Sequence, residues 1–179
     1  MAAIVSGEIL FKYSVVAAAG NTTASAAGTS LGDQISTTAW AGSVANDLFD
    51  DISGAENAAS TVDYRCIFVH NSNASNTLEN AVVYLSAETA GGAAIAVAVD
   101  GTAASAIASG STQAATIANE LAAPTGTGGF SSPTTVGTGL SLGNIPAGQC
   151  KAFWVRRTAA NTAALSNDGV TIAVAGDTG

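Results

Sequence analysis

At 179 residues and 17.4 kDa the chain has the length of one domain, or of one domain with an extended arm. Ala, Gly, Thr and Ser fill 97 positions, while Leu, Ile, Val and Phe supply 38, about 21% of the chain, enough for a modest core. Charged residues are only 10%, with 13 acids against 5 bases and a net charge of −8; this excludes a charge-rich helical bundle, argues against a polar enzyme, and leaves five scattered cations in place of the clustered ones that a nucleic-acid binder needs.

The opening residues, MAAIVSGEILFKYS, carry no basic stretch ahead of the apolar ones and are interrupted by Glu8, so they do not read as a secretory signal. The expectation is a mature chain that begins near Met1 and folds in a cytoplasm, where Cys66 and Cys150 stay thiols. Residues 7–13 (GEILFKY) form the first predicted strand, followed by a Gly/Ser/Thr spacer at 20–32. This divides the chain into an N-terminal strand, arm and flexible spacer at 1–32 and a β-sandwich domain at 33–179. QISTTAW (34–40) alternates as a second strand, and SVANDLFDDISG (43–54) is the best candidate for a short helix, with Val44 and Leu48 four apart on one face.

The strongest segment is VDYRCIFVH (62–70), rich in β-branched and aromatic residues and closed by the turn-prone NSNASN (71–76). Alternation puts Tyr64, Cys66 and Phe68 on one face and Ile67 and Val69 on the other, which predicts a central strand covered on both sides. NAVVYLSA (80–87) follows closely enough to suggest a hairpin. The most apolar window, 90–108, is broken by Asp100 and made mostly of Ala and Gly, far short of the roughly 20 strongly apolar residues of a membrane span. Further strands are predicted at 93–99, 113–118, 150–157 and 169–175, and a long loop at 121–148, where Pro124, Pro133 and Pro146 lie. Seven or eight short strands at this spacing predict an all-β fold, an immunoglobulin-like or jelly-roll-like β-sandwich with long loops and an extended N-terminal arm.

Chemistry-bearing patterns are sparse. The single histidine, His70, ends a strand, where it caps a turn or sits at an interface; no G-x-S-x-G elbow accompanies it. Asp47, Asp50, Asp51 and Glu56, with Asn46 and Asn57, offer oxygen ligands for a hard cation such as calcium, although the spacing fits no EF-hand and a solvated turn or charge-flanked helix uses the same residues. Cys66 and Cys150, 84 positions apart, echo the two strands bridged across an immunoglobulin sandwich, but the compartment favours two buried small hydrophobes. Phe153, Trp154 and Val155 ahead of Arg156 and Arg157 form either a core strand ending in solvated arginines or a partner surface anchored by Trp154 or the arginines. No catalytic, cofactor-binding or metal residue is assigned.

The succession LFDDISGAEN (48–57), DYRCIFVHNSNAS (63–75), ENAVVYLSAE (79–88) and LGNIPAGQCKAFWVRRT (142–158) resembles a group of tailed-bacteriophage virion structural proteins. In that group a YRC-aromatic-V-x-N strand and a pGq…W-x-R strand belong to an immunoglobulin-like sandwich; the likeness covers about residues 45–175. It implies a particle component without catalytic residues or cofactor. Within a virion, so few charges leave much of the surface to be covered by partners, and the acidic balance is repelled by packaged DNA. The resulting expectation is a capsid decoration or cement protein on the capsid exterior, assembled in the host cytoplasm. It would clamp the major capsid protein as a homotrimer, with segment 1–32 reaching a neighbour and neither nucleic acid nor membrane as partner. The alternatives are a neck, collar or tail-fibre component, a host-surface carbohydrate-binding module using Trp40 and Tyr84, or a hydrolase built around His70.

Overall fold

The short apolar runs form ten strands, paired antiparallel, among the described residues, which in this computed structural model are 3–16, 21–42, 44–163, 165 and 168–179. The wider sheet has the order β5 (Ala94–Val99), β9 (Gln149–Thr158), β3 (Val62–Asn71), β1 (Ile9–Val15), β2 (Gly32–Ala39) and β7 (Ala114–Thr116), and β6 (Ser105–Ala106) pairs with β9 off this path. A second sheet runs β10 (Val170–Thr178), β4 (Leu78–Glu88), β8 (Leu140–Ile145). The fold is all-β and sandwich-like. Among the described residues no helix is long and apolar enough to cross a membrane.

The spine is the β3–β9 ladder, in unbroken register from Val62 opposite Thr158 to His70 opposite Cys150. Its residues are apolar on both faces, so both faces must be covered. Ile67, Val69, Phe153 and Val155 pack against Val83, Leu85 and Ile145 of the small sheet. On the reverse face Cys66, Phe68, Ala152 and Trp154 pack with Ile35, Ala114 and Ile117. The central, doubly covered strand predicted at 62–70 is therefore present.

Four local expectations are corrected. Residues 62–70 and 80–87 do not form a hairpin, because β3 pairs with β1 and β9 while β4 pairs with β10 and β8. The asparagines of the link redirect the chain between sheets. Asn71 Nδ2 donates to the carbonyls of Asn76 and Ile145, and Asn73 Oδ1 accepts from the N–H groups of Ser75 and Asn76. Residues 44–53 turn without forming the predicted helix; Asn46 has φ 61°, and of the proposed pair Leu48 is buried while Val44 is 68% exposed. Ser43 of that stretch lies outside the described residues. The helix, α1 (Gly54–Ala59), starts just beyond: Ser53 Oγ accepts from the Glu56 N–H while the Glu56 carboxylate accepts from the Ser53 N–H, a capping box. The predicted loop at 121–148 contains β8, whose Leu142 and Ile145 enter the core; Gly143, at φ +74°, breaks the alternation that would have marked it. Finally, Ile9–Val15 of the proposed arm is an interior strand, bonded to β3 on one side and β2 on the other. Residues 1, 2 and 17–20 of the proposed arm and spacer lie outside the described residues.

Gly32 opens β2 at φ +99°, and a Cβ there would lie 1.8 Å from the Ala115 carbonyl oxygen. Gly32→Ala is expected to lower the unfolding free energy by at least about 2 kcal/mol, read by urea denaturation.

Candidate functional site

Trp40, Gly42 and the turns at 44–54 wall a cleft of about 650 Å³, closed on other sides by residues 91–93 and 95 and, past β9, by 160, 162, 163, 165 and 168–170. Trp40, just past β2, meets the Phe11 ring edge-on with centroids 5.8 Å apart. The turns are held from below. The Tyr13 hydroxyl donates to the Asp47 carbonyl, and burial, then the charge of Asp47, pushes the phenol up to about 12. Leu48 enters the core, and the Phe49 ring lies against two guanidinium groups, Arg157 at 4.8 Å and Arg65 at 5.5 Å.

Arg157 fixes the floor. Its Nε and Nη2 donate to Asp63 Oδ2 at 3.0 and 2.7 Å, its Nη1 donates to the Asp50 carbonyl, and Nη2 lies 3.3 Å from Asp50 Oδ1. Arg157 and Asp63 are 6% and 3% exposed, so the pair is fully internal. On the opposite wall Asp168 Oδ2 accepts from the Ala93 N–H at 2.7 Å. Trp40 Nε1 and Asp47 Oδ2, both on residues that line the cleft, are buried without a hydrogen-bond partner among the described residues.

Two of the four acids proposed as a cation site are otherwise engaged: Asp50 faces Arg157, and Glu56 caps α1, whose Ser53 contacts hold its carboxyl below the usual range. Among the described residues no three His, Cys, Asp or Glu side chains come together to hold a metal. Cys66 and Cys150 are free thiols on neighbouring strands of one sheet and so do not face each other across the sandwich. Cys66 lies opposite Trp154, four residues from Cys150, a separation of roughly 13 Å that no disulfide spans. Burial pushes the Cys66 thiol well up and that of Cys150 up to about 12, so both behave as small hydrophobes.

Trp154 is fully buried and does not present a partner surface. Its indole N–H donates to Asp100 Oδ2 at 2.9 Å. Asp100 also accepts from the N–H groups of Thr102 and Ala115, and its carbonyl accepts from Lys151 Nζ at 2.7 Å. This network was invisible in the sequence, where Asp100 stood only as a break in an apolar window. Nor does β9 end in solvated arginines: Arg157 is internal, and Arg156 lies 5.1 Å over the Phe130 ring. Tyr84 is half-buried on the small sheet, opposite Ala173 and away from the cleft, so it and Trp40 do not share a surface.

His70 is 6% exposed between Leu10 of β1 and Cys150 of β9, and its Nδ1 has no hydrogen-bond partner among the described residues. Burial first, and the nearby charge of Lys12 second, hold its pKa below the ordinary histidine value. The unfolded chain therefore takes up this proton first, and folding stability falls as the pH drops through the ordinary histidine range, about 7 to 5. The urea midpoint is expected to fall over that interval, with a shallower fall in His70→Gln.

The treatment of the cations is uniform. Arg65, Lys151 and Arg157 are buried, and the half-buried Lys12 and Arg156 are engaged with Asn21 and Phe130. Every exposed charged residue among the described ones is an acid: Asp50, Asp51, Glu88, Asp168 and Asp177. No family model, curated protein or solved structure matches this chain.

Proposed function

We propose that this chain is a structural component of a virion, a decoration or cement protein that binds the outside of the major capsid shell. The observation that carries the reading is the one-signed surface: among the described residues no basic one is exposed, and the exposed charged residues are all acids. Such a surface repels packaged DNA and suits a neighbour that supplies the positive charge. The resemblance of the sequence motifs at 63–75 and 142–158 to those of phage structural proteins supports this kind of particle. Copies carrying −8 each repel one another, so in this reading trimers gather on the shell and are held by it.

The test is to add the purified chain to shells that lack it. The reading expects on the order of hundreds of copies bound per particle, a raised temperature of shell rupture, and binding that weakens as salt rises. A dozen copies or fewer would place it at the neck or tail, and no binding to any shell or tail protein would overturn it.

A further inference from the structure

We propose that the Trp40 cleft is a docking groove for an extended segment of a partner protein that carries both basic and apolar side chains. Four features converge there. Its volume, about 650 Å³, is that of a site that encloses several side chains. Val44 and Leu165 stand 68% and 44% exposed on its lining, beside the Trp40 ring, and leave apolar surface that water covers poorly. Its charged lining is Asp47, Asp50, Asp51 and Asp168, against a single cation, Arg157, which Asp63 and Asp50 already neutralise. Beneath that surface Trp40 Nε1 and Asp47 Oδ2 are buried with no hydrogen-bond partner among the described residues, so the lining carries an unmet donor and an unmet acceptor.

Charge selects the occupant. A second copy of this chain cannot supply the complement, because its cations are buried or engaged and it would bring acid to acid. A nucleic acid fails for the same reason. A basic segment without apolar side chains would leave Val44 and Leu165 uncovered. The inference deepens the decoration reading, on which it rests only for the identity of the protein that owns the segment.

The experiment titrates the 15N-labelled full chain with acetyl-Leu-Lys-Leu-Arg-Leu-amide and, separately, with its counterpart holding Glu in place of Lys and Arg. The basic peptide is expected to shift the Trp40 indole N–H and the amides of 47–51 saturably, and the acidic peptide to leave them in place. Asp51→Lys and Val44→Asn, at exposed positions, should keep the wild-type melting temperature and bind the basic peptide about tenfold more weakly or worse. No shift at Trp40 at millimolar basic peptide, equal binding of the acidic peptide, or unchanged affinity in both variants would overturn the groove. The same variants are added to shells. If shells bind wild type and variants alike and the peptides leave Trp40 silent, the groove is wrong while the decoration reading stands. If the basic peptide fills the groove but shells bind nothing, the groove stands and that reading falls.

Discussion

Trp154→Ala is expected to lower the unfolding free energy by about 3–5 kcal/mol. The side chain is 0% exposed on β9 and packs in the cluster that includes Cys66, Phe68, Ile35 and Ile117, so its removal leaves a cavity that this close-packed cluster cannot close. The loss is compounded because the indole N–H donates to Asp100, a buried carboxylate that also holds Thr102 and Ala115. Trp154→Phe separates the two contributions. It keeps most of the volume and loses only the donor, so a smaller loss of about 1–3 kcal/mol is expected. Denaturant unfolding followed by circular dichroism measures both; equal losses in the two variants would show that the hydrogen bond, and not the packing, dominates.

Arg157→Ala is expected to cost a similar amount, about 3–5 kcal/mol, for a different reason. The substitution strands Asp63 as an unpaired carboxylate that is 3% exposed and whose Oδ1 already lacks a hydrogen-bond partner among the described residues. The exposed Asp50 adds little, since water screens its contact with the same guanidinium. Replacing both members, as in Arg157→Met with Asp63→Leu, should recover a large part of the loss, because no charge is then left buried. A double-mutant cycle by urea denaturation tests this. Phe49 would also lose one of the two guanidinium groups it touches, so amide exchange at 47–51 should quicken in Arg157→Ala even where the fold survives.

The class of fold was legible because β-sheet chemistry is local. Alternating β-branched and aromatic residues at 62–70 and 150–157 mark strands whatever surrounds them, and apolar character on both faces marks the centre of a sheet. Pairing was not legible, because it depends on where the link leads: Asn71 reaches a carbonyl 74 positions away to send β4 into the other sheet. β8 was hidden by Gly143, and α1 by its brevity, although the S-x-x-E box at Ser53 and Glu56 is a start signal that apolar periodicity does not register. Of the cleft, the acids at 47, 50 and 51 stood out in the sequence as a candidate cation site. Their relation to Arg157, 107 positions from Asp50, and to Trp40 exists only in three dimensions. The same holds for Trp154, whose inward orientation is set by an aspartate 54 positions earlier.

The sheltering of Lys12, Arg65, Lys151, Arg156 and Arg157 has a practical corollary for proteolysis. Trypsin cuts only after such a residue and needs a stretch of extended, accessible backbone around it, whereas here all five lie in strands that are hydrogen-bonded into the sheet. The native chain offers that enzyme no ready point of entry, and digestion would proceed only as fast as the sandwich opens, making tryptic cleavage a clock for unfolding.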